Sequence, residues 1–232
     1  MKIVTTLILI FFTTLSTFGQ VGLINDKDGF TNVRKGPSSN SEIIYKLNDW
    51  EVFFIDIEYL DLDSSWIKIW ITKNKYSIYN GQPNSYDIFG FIHKSRLKLL
   101  DSLPVVSDPK VYLDFKISRA DTNKTMDTNF HTINGQVPQG LEIPLADSYE
   151  VESLSLLWKG KTIQVKKELF QDLYNVSFQE GYYNSKGERF KTYLHNDRYY
   201  IQQSCADGAG YYMVIWVIEN GAIKQRLAGT II

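Results

Sequence analysis

The sequence predicts a mainly β protein in two units, the second of them α+β with one short helix. Three observations carry this. Apolar residues recur at every second position in most segments, glycine- and asparagine-bearing turns separate those segments, and helical periodicity is confined to one short stretch. In Trp66–Ile71, Ile67, Ile69 and Ile71 alternate with Trp66, Lys68 and Trp70. Val111, Leu113, Phe115 and Ile117 alternate with Tyr112, Asp114 and Lys116, and Ile55, Ile57 and Tyr59 with Asp56 and Glu58. Lys159-Gly160, Gly208 with Gly210, and Asn220-Gly221 mark turns, and Asn-Gly suits a two-residue hairpin because both positions tolerate positive φ.

The carboxy-terminal strands read as an antiparallel meander through Tyr199–Ile201, Tyr211–Ile218 and the run after Asn220-Gly221. The unbroken apolar run Tyr211–Ile218 predicts a central strand buried on both faces. Gln202, Ser204, Lys224 and Arg226 are expected to face solvent or a groove. Lys166 to Tyr174 is the one segment with helical spacing, with Leu169, Phe170, Leu173 and Tyr174 on a shared face. Asp101-Ser102-Leu103-Pro104 and Ser107-Asp108-Pro109 interrupt the strand pattern, because each proline lacks a donor and biases its predecessor toward extended geometry. This places a linker at 101–109, between a unit at 20–100 that is expected to fold alone and a β-rich unit at 110–232.

With 232 residues, 44% of them hydrophobic, the chain is long enough for two packed cores. The formal net charge is −1, with ten basic and ten acidic side chains in 20–100 and fourteen basic against sixteen acidic from Asp101 onward. Neither half carries the basic excess of a phosphate-backbone binder, so nucleic acid is not the expected partner. Lys2, the apolar run Ile3 to Leu15 and the small residues of Thr17-Phe18-Gly19 form a signal-peptide pattern over 1–19. The pattern predicts cleavage before Gln20 and a periplasmic or secreted mature chain with no further membrane span. Cys205 is the single cysteine, which leaves no partner for an internal disulfide.

The strongest motif is Gly29-Phe30-Thr31-Asn32-Val33-Arg34-Lys35-Gly36-Pro37-Ser38. It is followed by Ser41-Glu42-Ile43-Ile44, Glu51-Val52-Phe53, Ser65-Trp66-Ile67-Lys68-Ile69 and Gly90-Phe91-Ile92-His93-Lys94-Ser95-Arg96-Leu97. In order and spacing this set resembles the bacterial SH3 (SH3b) domain family from about Val21 to Leu100. The resemblance implies a small SH3-like barrel and a non-catalytic binding role, with cell-wall peptide, glycan or an envelope protein as partner. An exported chain rich in Ile, Lys and Asn and cut before Gln is also similar to those of Bacteroidota. The segment from Thr72 to Ile88 departs from the family pattern as an insertion.

Candidate sites are few. Strand alternation turns Trp66 and Trp70 away from the barrel interior. Together with Tyr76, Tyr79 and Tyr86 of the insertion they form the candidate ligand-binding set, since exposed aromatics stack on sugars or anchor peptides. The competing expectation for Trp70 is that it packs under the insertion or against the second unit. Cys205, beside Asp207 in a strand, lacks the helix terminus or cation that activates a thiolate, and no catalytic residue is assigned. His93, His131 and His195 have no metal-ligand spacing, so no metal or cofactor is assigned. Asp56, Glu58, Asp61 and Asp63 read as a solvated acidic run. Two further functions stay open at this level: an inhibitor or immunity-type protein–protein module, and an enzyme with an unrecognised site in the second unit.

Overall fold

The computed structural model describes residues 21–56, 64–71, 88–106, 110–127, 132–134, 137–141, 144–206 and 208–229. Among them the chain is mainly β, and the helical elements are three-residue 3-10 turns. The signal-peptide segment lies outside the described residues, as do Ile57, Glu58, Tyr59, Asp61, Asp63 and His131. No helix of the described residues is long and apolar enough to cross a membrane.

The first half contributes β1 (Val21–Ile24), β2 (Phe30–Arg34), β3 (Ile43–Asn48), β4 (Val52–Ile55), β5 (Trp66–Ile71), β6 (Ile88–His93) and β7 (Leu97–Leu99). They form one seven-stranded sheet in the order β3-β2-β6-β5-β4-β1-β7, with β3 and β7 at its ends. Its inner face gathers Ile24, Val33, Leu47, Phe53, Ile55, Ile67, Ile69, Ile71 and Ile92 into one core, each at most 2% exposed. All of these side chains come from strands of this one sheet, so the sheet coils around them. Gly90 lets the coil tighten: a Cβ there would lie 2.4 Å from Val33 Cγ1 and 2.9 Å from the Arg34 carbonyl oxygen.

The second half holds β8 (Val111–Arg119), the short β9 (Met126–Asp127) and β10 (Thr132–Ile133), β11 (Tyr149–Trp158), β12 (Lys161–Gln164) and β13 (Gly181–Asn184). The meander follows as β14 (Phe190–His195), β15 (Arg198–Cys205), β16 (Tyr212–Glu219) and β17 (Ala222–Gly229). One four-stranded sheet runs β12-β11-β8-β13 and the other β14-β15-β16-β17, while β9 and β10 pair separately. The two larger sheets face each other across a core that includes Leu113, Phe115, Leu154 and Leu156 on one side and Ile201, Tyr212, Val214 and Trp216 on the other. Phe170 and Leu173 join this core from the segment expected to be helical, and Val176 from just after it. That segment contains a single 3-10 turn, Lys167–Leu169, whose following residues are buried.

The meander's opposite face packs on the first half. Tyr193, Tyr200, Met213, Ile215, Val217 and Leu227 meet Val21, Leu23, Val52 and Phe54. As expected from its apolar run, β16 is buried on both sides along nearly its whole length. Fully burying side chains such as Phe54 and Leu227 contributes about 1.5–3 kcal/mol each. The described part of the segment read as a linker, 101–106, docks here too: Leu103 lies in the shared core beside Leu100, and Val106 N–H donates to the Thr192 carbonyl at 2.8 Å. At this boundary the two halves also meet across apolar surface.

Polar groups fasten the same junction. The Gln225 amide accepts from Val52 N–H and donates to Val52 C=O, both at 2.8 Å, pairing with β4 as a strand would. Arg198 bridges Glu219 at 2.6 Å and Asp49 at 3.2 Å. On the meander's other face Arg226 is fully buried and holds Asp172 in a two-bonded pair at 2.6 and 2.8 Å. The expectation that Gln202 and Arg226 face solvent or a groove is thus corrected: Gln202 is 7% and Arg226 0% exposed. Alternation marks two faces of a strand, but here both faces are interior.

Burial pushes the Tyr200 phenol and the Cys205 thiol each up to about 12. It raises Tyr193 as well, reinforced by the hydrogen bond to Asp101, and it raises Tyr212. In all four cases the folded state holds its proton at a pH where the unfolded chain releases it. Their contribution is therefore intact below the unfolded values and is lost as pH climbs through them toward the folded ones. We expect stability in urea to fall from about pH 9 to 12, by up to about 1.4 kcal/mol per pH unit for each such group. A urea midpoint that stays constant through about pH 11 would contradict the burial of these groups.

Candidate functional site

The site is built on one strand pair. In β5 the exposure alternates as the sequence predicts: Ile67, Ile69 and Ile71 are at most 1% exposed, while Trp66, Lys68 and Trp70 are half-buried on the outer face. The antiparallel register of β6 sets His93 opposite Trp66, Phe91 opposite Lys68 and Phe89 opposite Trp70. Because cross-strand partners share a face, the outer surface carries two adjoining columns, Trp66-Lys68-Trp70 and His93-Phe91-Phe89.

The rings are ordered against one another. Trp66 meets His93 edge-on, with centroids 5.5 Å apart and planes at 89°. Trp70 stacks on Phe89 at 6.4 Å and 22°. The Lys68 ammonium stands 5.7 Å from the Phe89 ring centre and is held by Asp56 at 2.9 Å. His93 is steadied by Ser95, whose hydroxyl lies 2.7 Å from Nδ1. Asp56, expected to be solvated, thus serves to position Lys68.

The two tryptophans are not equivalent. Trp70 lies 4.5 Å from the buried Phe54 ring. A Cβ at Gly229 would fall 2.7 Å from Trp70 Cη2, so the glycine of β17 is what admits the indole between the halves. Among the described residues Trp66 lies against His93, which is itself exposed, whereas Phe89, opposite Trp70, is 53% exposed. One end of the ladder is therefore anchored in the interdomain core, and the other end faces outward. Tyr76, Tyr79 and Tyr86 lie outside the described residues.

Phe89, Phe91 and His93 complete the face, and sequence reasoning did not assign them to it. Their signal was present, since they alternate with Gly90 and Ile92. What alternation cannot supply is the register that sets them beside β5.

Elsewhere the described residues offer less. Cys205 is fully buried, and burial holds its thiol protonated, so the thiolate required of a nucleophile is not available there. No group of three or more His, Cys, Asp or Glu side chains among the described residues could hold a metal ion. Arg226 and Asp172 are consumed by one another within the core. No protein-family model, curated protein or solved structure matches the chain.

The asymmetry of the tryptophans has a measurable consequence. Trp70→Ala should lower unfolding free energy by about 3 kcal/mol, as expected for opening a cavity at a packed aromatic. Trp66→Ala should cost about 1 kcal/mol or less, in the range of substitutions outside the core. Equal losses in urea unfolding would contradict the distinction between an anchored and an open end.

Proposed function

We propose that the chain is a non-catalytic, extracytoplasmic binding protein whose first half is an SH3b-like module presenting the β5–β6 face to a cell-wall glycan or peptide. The observation that carries this reading is Phe89. A phenylalanine 53% exposed, stacked beside Trp70 and flanked by Lys68, lies on a face that also bears Trp66 and His93. Aromatic planes offer a stacking surface for sugar rings and peptide side chains. The Lys68 ammonium and the His93 imidazole supply polar groups at the margin, which suits a ligand with apolar faces and hydrogen-bonding edges. The amino-terminal leader pattern, with cleavage before Gln20, supports export to the compartment where such ligands occur.

In this reading Trp70 serves as the foundation and Trp66, Phe89 and His93 as the contact surface. Stacking energy of about 0.5–1.5 kcal/mol per aromatic pair implies modest affinity from one module.

Cosedimentation with purified peptidoglycan sacculi tests the proposal. The intact mature chain should pellet with sacculi. The double variant Trp66→Ala/Phe89→Ala should lose affinity by about tenfold, corresponding to about 1.4 kcal/mol, while its melting temperature stays within a few degrees. Full binding by the double variant would move the site off this face, and absence of binding by the unaltered chain would remove peptidoglycan as the ligand.

A further inference from the structure

The second half carries a separate surface, distant in sequence from β5 and β6 and independent of the reading above. Among the described residues β12 is an end strand of its sheet and pairs only with β11. All four of its residues, Lys161–Gln164, are exposed. The hairpin before it is tight, with Lys159 and Gly160 at φ 48° and 84°.

The register shows where its backbone points. Val165 N–H donates to Leu154 C=O, and Ile163 stands opposite Leu156 and Lys161 opposite Trp158. Antiparallel pairs alternate between bonded and non-bonded positions. Lys161, Ile163 and Val165 thus share the bonded phase, and Thr162 and Gln164 direct their N–H and C=O groups outward. Among the described residues no strand pairs with that outer edge.

Beneath the edge lies a cleft of about 820 Å³, lined among others by Leu156, Ile163, Val165, Leu169, Ala222 and Ile223. It opens where β12 of one sheet approaches the β16–β17 turn of the other. Ile163 is 37% exposed within it. A strand added to β12 would drop alternate side chains onto this apolar floor, the geometry by which extended peptides augment a sheet.

The rim identifies the partner by charge. Lys159, Lys161, Lys166 and Lys167 outnumber Glu168 around the edge, in a chain whose formal net charge is −1. A second copy is disfavoured because pairing two such edges would set these lysines against each other, and edge lysines are a known deterrent to self-pairing. The same charges attract an acidic strand.

We propose that the outer edge of β12 is a docking site for an extended segment of a partner protein in which apolar residues alternate with Asp or Glu. Main-chain bonds to Thr162 and Gln164 would hold the segment, its apolar residues would enter the cleft beside Ile163 and Ile223, and its carboxylates would lie on the opposite face toward Lys166, with Lys161 adding positive charge at the start of the strand.

Panning a random peptide library of about twelve residues on the intact chain tests this, with the enriched peptides then measured singly by fluorescence anisotropy. Alternating apolar and acidic peptides should be enriched. Thr162→Pro removes an outward N–H without touching the β11 ladder, since proline is tolerated at that phase of an edge strand. It should weaken binding by about tenfold or more at an unchanged melting temperature. Lys161→Glu/Lys166→Glu should turn the preference toward basic peptides, and this surface double variant does not depend on the proline being accommodated. No enrichment, enriched peptides lacking acidic residues, or affinity unaffected by Thr162→Pro would each overturn the proposal. Self-association of the unaltered chain that Thr162→Pro abolishes would overturn it as well, because the edge would then belong to a second copy.

Discussion

The meander β14–β17 is buried on both faces, and the remaining architecture is arranged to make that possible. A sheet with one apolar face needs one partner layer, and a sheet with two needs a layer on each side. The β8–β11 sheet covers one face and the coiled amino-terminal sheet covers the other. In β16 the consequence is direct: Met213, Ile215 and Val217 serve one core while Tyr212, Val214, Trp216 and Ile218 serve the other. The Gln203 amide is buried without a partner among the described residues, but other polar residues of these strands find partners inside. Gln225 does so with the Val52 backbone, and Arg226, one position on and facing the opposite way, does so with Asp172. A buried pair of this kind need not add net stability, because desolvation opposes the attraction. It does fix the register of β17, since neither group tolerates being left alone.

That register reaches the candidate binding face. With β17 fixed, Gly229 sits where the Trp70 indole can enter. Trp70 in turn supports Phe89, and the pairing of β5 with β6 carries order outward to Trp66 and His93. The exposed end of the ladder therefore rests on the junction of the two halves. This gives the second half a physical role in the first half's surface, separate from any role of its own edge at β12.

Much of this was legible in the sequence. Alternation alone separated Ile67, Ile69 and Ile71 from Trp66, Lys68 and Trp70. The unbroken apolar run marked β16 as a two-sided strand, and Asn220-Gly221 marked its hairpin. What was not legible depends on long-range register. Nothing local tells Trp70 that Gly229 lies against it, or tells Gln225 that Val52, 173 positions away, needs a partner. Phe89, Phe91 and His93 could join the face only once the pairing across the intervening segment was known. Arg226 and Gln202 were misread because alternation with apolar neighbours normally means solvent on the second face. Lys166 to Tyr174 has spacing that suits a short helix, and the structure gives it one 3-10 turn at Lys167–Leu169 with Phe170, Leu173 and Tyr174 buried.

Native-state hydrogen exchange tests the central claim most directly, that a sheet buried on both sides joins the two halves into one cooperative unit. The slowest amides of β4 and β5 in the first half and of β15 and β16 in the second are expected to exchange only through global unfolding. They should then share one opening free energy and one denaturant dependence. Exchange of β4 and β5 through a separate opening of lower free energy, with β15 and β16 still protected, would contradict it.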